Sequence, residues 1–298
     1  MMNLLSKKFS SVKSVSRKMA LITATAAFMP LSAFADRFKD VEISVTPVSD
    51  KVYMLQGSGG NIGLLATQEG LLLVDDQYAP LAEKIEKAMK NIVDQPLKYV
   101  VNTHYHGDHT GSNSYFSEQA PIFAHTNVRK RIADDSKRSE KDLPVVTYQH
   151  GVTIHLADEK VVLTHLPSGH TDSDTIVYFK KANVLHTGDL FFELGFPYVD
   201  MKGGGNVDGY VKNVKYMIKN FPDDVKVIPG HGKLTDKAGL QSFVTMIEDC
   251  AKLVKQQLAE GKTEAEILAR GVDEKYKHLS WRFITEERWL KTLIAAYK

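Results

Sequence analysis

His104-Tyr105-His106-Gly107-Asp108-His109 follows the apolar, strand-like run Leu97-Lys98-Tyr99-Val100-Val101. Four metal-capable side chains therefore sit within six residues. Neutral imidazole and carboxylate are ligands that divalent zinc accepts readily. In an extended segment His104 and His106 point to the same side, because side chains alternate with period two. A turn at Gly107 would swing Asp108 and His109 toward a second, adjacent point. One short loop can thus serve two neighbouring metals.

Working outward, three further candidates recur at wide spacing. His170 lies in Ser168-Gly169-His170-Thr171, Asp189 in His186-Thr187-Gly188-Asp189-Leu190, and His231 in Pro229-Gly230-His231-Gly232. Each follows an apolar, strand-like run and stands beside a glycine. Such a position holds a side chain at a strand end while the backbone bends around a cluster. Taken singly, a histidine beside a glycine reads as a turn residue. Taken together, five histidines and two aspartates supply two metals and leave a position for water.

The rest of the chain reads as alternating strands and helices. Short apolar or β-branched runs at 41–46, 51–55, 61–66 and 70–74 predict strands, with Gly57-Ser58-Gly59-Gly60-Asn61 as a loop between two of them. Residues 79–93 carry Leu81, Ile85, Ala88, Met89 and Ile92 on one helical face. A strand at 97–102 delivers the histidine cluster, and Thr110-Gly111-Ser112-Asn113-Ser114 is expected to open a short helix pointing its positive end at the metal loop. Strands are expected near 121–125, 145–148, 152–156, 159–166, 175–179, 183–187 and 225–228. Helices are expected near 126–137, 207–220, 236–259, 263–269 and 285–296. Residues 193–206 form a long loop containing Gly203-Gly204-Gly205, a length that often serves function. Strands and helices in both halves, with ligands at strand ends in both, suggest two sheets face to face with helices outside.

The first 35 residues read as an export signal. Lys7, Lys8, Lys13, Arg17 and Lys18 precede an apolar stretch from Met19 to Pro30, and Ala33-Phe34-Ala35 fits a cleavage box, with Asp36 as the mature start. The apolar stretch is shorter than the ~20 residues a membrane span needs. Residues 36–298 then form the mature domain, expected in the periplasm or outside the cell. The signal holds five Lys/Arg and no Asp/Glu, so its removal from a chain of 38 basic and 36 acidic residues turns a net charge of +2 into −3. A mildly acidic body argues against nucleic-acid binding and against an anionic-membrane binder. Oligomeric state is left open. The one cysteine, Cys250, permits no intramolecular disulfide and falls among Phe243, Val244, Ile247, Ala251, Val254 and Leu258 at helical spacing. It reads as a small buried hydrophobe.

The order His104-x-His106-x-Asp108-His109, His170, Asp189, His231 resembles the metallo-β-lactamase-fold hydrolases. Val74-Asp75, Gly169-His170-Thr171, Thr187-Gly188-Asp189 and Pro229-Gly230-His231-Gly232 extend the likeness over most of the mature chain. The resemblance implies an α/β fold, an αββα sandwich of two mixed sheets with metals at one edge. It also implies two zinc ions, with iron or manganese as alternatives. His104, His106 and His170 would hold the first metal and Asp108, His109 and His231 the second, with Asp189 bridging both. A hydroxide between the metals would attack a carbonyl carbon, with Asp108 orienting it and carrying the proton, and Asp75 fixing a ligand imidazole.

Within that family the chain looks most like secreted two-metal members described as β-lactamase-like. Two departures matter. The best-known zinc β-lactamases carry a cysteine at the place of Asp189, and some carry a lysine where this chain has Phe192. Lys202 and Asn206 in the long loop are the alternative candidates for a substrate carboxylate. The expected activity is opening of a cyclic amide or ester in a small molecule, with β-lactams first. A thioester or lactone hydrolase is the second enzyme reading, and a periplasmic metal-binding accessory protein is the reading from another class.

Overall fold

The computed structural model describes residues 37–298. The expected export segment at 1–35 lies outside the described residues. Thirteen strands among those described form two sheets. In the first, β1 (Ser44–Pro47), β2 (Val52–Gln56), β3 (Ile62–Thr67) and β4 (Gly70–Val74) run as an antiparallel meander. Helix α1 (Ala82–Ile92) then crosses to β5 (Leu97–Val101), which pairs parallel with β4. Strands β6 (Ile122–His125) and β7 (Val146–Tyr148) extend the sheet in parallel.

The second sheet has the order β13-β12-β11-β10-β9-β8, built from β8 (Gly151–Leu156), β9 (Glu159–His165), β10 (Thr175–Phe179), β11 (Val184–His186), β12 (Lys226–Ile228) and β13 (Thr235–Asp236). All its pairings are antiparallel except β11 with β12.

Alternation along the strands shows how the layers close. Met54, Leu65, Leu72, Val74 and Val101 of the first sheet meet Val161, Leu163, Val177, Phe179 and Ile228 of the second in one buried cluster. Their neighbours on the opposite face, Leu64, Leu71, Leu73 and Val100, pack instead with Leu81, Ile85 and Met89 of the α1 region. On the far side Ile176, Leu185 and Val227 pack against Val214 and Met217, Val244 and Ile247, and Leu290 and Leu293. Those residues come from three helices, Val207–Asn220, Lys237–Ala259 and Glu286–Tyr297. The period of two thus sends one set of apolar residues between the sheets and the other beneath helices. The architecture is the expected αββα sandwich. Among the described residues, no helix is long and apolar enough to cross a membrane.

Most boundaries fall within a few residues of the sequence reading, and the helix over 207–220 matches it. One expectation needs correction. The first helical turn begins at Gly107, not Thr110, and spans Gly107–Thr110, with a second turn at Asn113–Phe116. The carbonyl of His106 accepts from the amides of His109 and Thr110. Asp108 and His109 therefore lie inside the turn rather than ahead of it.

Candidate metal centre

Strand ends deliver the polar residues. Asp75 follows β4, the histidine loop follows β5, Asp189 follows β11 and His231 follows β12. β4 and β5 are parallel neighbours, as are β11 and β12, and the crevice beyond the C-terminal ends of parallel strands is where α/β sheets place ligand sites. The two sheets are stitched together there. The amide of Asn61 donates to Gly230 O at 2.7 Å, and its side-chain nitrogen donates to Pro229 O at 2.9 Å.

The seven predicted side chains come together as two adjoining groups: His104, His106, His170 and Asp189, and Asp108, His109 and His231, each with its ligand atoms within 4.8 Å of one another. Asp189 faces both groups. Its Oδ2 stands 3.4 Å from His170 Nε2 and 3.8 Å from His104 Nε2, while its Oδ1 stands 3.0 Å from His109 Nε2 and 3.4 Å from His231 Nε2. Asp108 Oδ2 lies 3.3 Å from His231 Nε2.

Surrounding partners determine which ring nitrogens carry hydrogen. His170 Nδ1 lies 2.7 Å from the carbonyl of Tyr198, which can only accept, so Nδ1 is protonated and Nε2 is bare. His106 Nε2 lies 3.1 Å from Asp200 Oδ2 and donates to it, which leaves Nδ1 bare. The Thr103 hydroxyl donates to Asp75 Oδ2 at 2.7 Å and so accepts from His104 Nδ1 at 3.1 Å, leaving His104 Nε2 bare. The three bare nitrogens converge. His106 Nδ1 is 2.9 Å from His170 Nε2 and 3.1 Å from His104 Nε2.

Burial holds His104 well below the usual histidine range, and it pushes His170 down to about 4. Both rings are neutral at pH 7. Lone pairs facing each other at such spacings repel unless a cation occupies their focus. Two nitrogens at zinc–nitrogen distances of ~2.0–2.1 Å on a tetrahedral centre would stand about 3.3 Å apart, close to what the fold sets. The donor set fits a divalent metal.

The second group holds one carboxylate and two imidazoles. Burial opposes the Asp108 charge, but His109 and His231 outweigh it and hold the carboxyl at about 2. Burial likewise opposes the Asp189 charge, and His109 and His231 outweigh it and hold the carboxyl well below the usual range. Asp189 Oδ1 and His109 Nε2 are both buried without a hydrogen-bond partner, as atoms reserved for an ion would be.

Asp75 underpins both groups. Its Oδ1 accepts from the Thr103 amide at 2.8 Å, and its Oδ2 lies 2.7 Å from His109 Nδ1. Its backbone sits at φ 63°, a left-handed conformation that Asp tolerates better than most residues. His186 donates through Nε2 to Asn61 O at 3.0 Å and accepts the Gly188 amide at 3.1 Å, so it holds the turn that carries Asp189.

The sequence reading missed Asp200, which sits in the 193–206 loop, holds His106 and takes the Tyr105 hydroxyl. The loop's length marked the region, but nothing singled out that carboxylate. Thr103 and the Tyr198 carbonyl were missed as well. Of the two loop candidates, Lys202 is exposed, and Asn206 uses its side-chain oxygen to cap the helix Val207–Asn220 at Gly209 N.

Residues 55–231 match the Metallo-beta-lactamase superfamily, and the chain belongs to it. It is 29% identical over 195 residues to the metallo-beta-lactamase type 2 of Bacillus sp. (strain 170), which covers 62% of this chain and 71% of that protein. It is 25% identical over 216 residues to metallo-beta-lactamase IND-1 of Chryseobacterium indologenes, covering 67% and 87%. The solved metallo-beta-lactamase from Pontibacter korlensis superimposes with a TM-score of 0.62 at 20% identity, over 70% of this chain and all of that one, which shows a shared fold. The protein is a metal-dependent hydrolase of that superfamily.

Proposed function

We propose that the protein is an exported hydrolase that uses two zinc ions to open a cyclic amide or ester in a small molecule, with β-lactams first. The convergence of three bare imidazole nitrogens beside a carboxylate facing both groups carries this reading. His104, His106 and His170 would hold one ion, Asp108, His109 and His231 the other, and Asp189 would bridge. When bound, zinc supplies Lewis-acid activation of water and of the substrate carbonyl.

The chain's own groups do the rest. Asp108, ionised at neutral pH, orients the attacking water and moves its proton to the leaving atom. Asp75, Asp200 and the Tyr198 carbonyl fix the tautomers of His109, His106 and His170. Lys202 is exposed and pairs with no carboxylate among the described residues, which leaves its ammonium free for an anionic substrate group. Asn206 keeps its side-chain NH2 for the same end. The basic and apolar segments of residues 1–35 support export.

Asp189 favours one second reading, since an aspartate there departs from the cysteine of the best-known zinc β-lactamases. A thioester or lactone would then be the substrate. Turnover of nitrocefin, a thioester and an acyl-lactone by zinc-loaded protein, measured with metal content, separates the two. Near two ions per chain with nitrocefin turnover supports the first reading. Thioester or lactone turnover alone replaces it, and a metal content near zero after gentle purification removes both.

A further inference from the structure

Beyond the metal groups the site has a wall that lies mostly past the superfamily match. That match ends at residue 231, whereas the wall is built largely by the segment before the last helix. Trp281 lies 6.4 Å from the His231 ring and 5.7 Å from Phe283. Phe283 lies 5.4 Å from Tyr198, which is 5.8 Å from His106 and 5.7 Å from His170. The row of rings therefore runs from one metal group to the other.

The segment is fixed to the long loop. The Trp281 indole N–H donates to Phe196 O at 2.9 Å, and the Phe196 amide donates to Leu279 O at 3.0 Å. At Gly195 an added Cβ would stand 2.3 Å from Leu279 O, so a side chain there would push the two segments apart.

Two features of this wall are unspent. Phe283 is 47% exposed although it is a large apolar ring beside a polar site. Arg288 lies with its guanidinium 4.2 Å from the Phe283 ring and 5.2 Å from the Tyr198 ring. One of its nitrogens donates to Phe283 O at 2.8 Å, and it pairs with no carboxylate among the described residues. A guanidinium has five N–H donors and a planar fork that matches a carboxylate. Cation–π contact with two rings and the bond to Phe283 O restrict that fork and lower the entropy lost on binding.

We infer that this wall selects the substrate. Phe283 and Trp281 cover a planar apolar group, and Arg288 takes a carboxylate, so the substrate class is an aryl-bearing carboxylate whose hydrolysable bond lies over the metal groups. The inference rests on the hydrolase reading for the identity of that bond, but the wall is testable without turnover.

The probes are phenylacetate and its neutral counterpart phenylacetamide, titrated into the metal-loaded full chain. Trp281 fluorescence is the readout, since the other tryptophan, Trp289, is fully buried. Wild type should bind phenylacetate more tightly than the amide. Arg288→Gln should weaken phenylacetate about tenfold or more and leave the amide unchanged, while Arg288→Lys keeps part of the difference. Phe283→Ala should weaken both probes. Equal affinities in wild type would overturn the assignment. So would a carboxylate preference that survives Arg288→Gln, which places the carboxylate on a metal, or one abolished by Lys202→Gln instead. A protein that discriminates the probes but hydrolyses no lactam, thioester or lactone keeps this wall and loses the substrates proposed above.

Discussion

His109 Nδ1 and Asp75 Oδ2 lie 2.7 Å apart, and neither side chain reaches solvent. The contact fixes His109 with its Nδ1 protonated and its Nε2 turned toward Asp189. Asp75→Asn keeps a residue that tolerates positive φ, removes the charge and turns one of the two accepting oxygens into an NH2 donor. It should weaken metal binding by about 10–100-fold, the usual cost of losing an outer partner of a ligand histidine. Competition with a chromophoric chelator measures this, with circular dichroism as the control for folding. Unchanged affinity would mean that Asp75 serves the backbone alone.

Gly60 and Gly230 let backbone approach His109 and Asp189 closely. A Cβ on Gly60 would stand 2.1 Å from His109 Cε1, and one on Gly230 would stand 2.1 Å from Asp189 Oδ1. Neither contact is tolerable, so Gly60→Ala and Gly230→Ala should each cost ~1–3 kcal/mol in stability through forced displacement. Each should also lower metal content below that of wild type. Urea denaturation and elemental analysis read the two effects. Wild-type values for both would show that the loop gives way without disturbing the ligand.

Cys250 is buried in the helix Lys237–Ala259, and burial pushes its thiol up to about 11. The thiolate is the reactive form, so the folded protein should resist iodoacetamide at pH 8 and become labelled only in denaturant. Mass spectrometry of the peptide counts the modification. Rapid labelling of native protein would place the thiol in contact with solvent.

His125 and His165 stack with ring centroids 3.7 Å apart and planes 8° from parallel. Burial, followed by the neighbouring His165, pushes His125 down to about 4, and burial lowers His165 too. An unfolded histidine titrates near 6.5. Between those values the unfolded chain binds the extra proton. The stabilising contribution is therefore complete above pH ~6.5 and is lost as the pH falls toward 4. Thermal melts across this window should show a smaller decline for His125→Phe than for wild type. Parallel declines would assign the acid sensitivity to other groups.

Much of this was legible in the sequence because strand alternation and motif spacing are local properties. Leu71, Leu72, Leu73 and Val74 announce a strand buried on both faces, and His104-x-His106-x-Asp108-His109 announces its own purpose. The helix start at Gly107 was missed because four residues give too short a window for periodicity. Asp200 and Thr103 were missed because their roles depend on which nitrogen of a distant ring points at them. Arg288 and Phe283 lie beyond the last recognised motif, and only the folding of the C-terminal segment onto the 193–206 loop brings them to the site.

The division of the proposed ligands between the two sheets has a consequence for assembly. His104, His106, Asp108 and His109 come from the first half of the chain, and His170, Asp189 and His231 from the second. Each group in the centre draws on both. On the proposed assignment neither half alone supplies a full complement of donors, so metal capture would report that the halves have docked. A chain arrested before the second sheet closes would surrender its metal to any competing chelator.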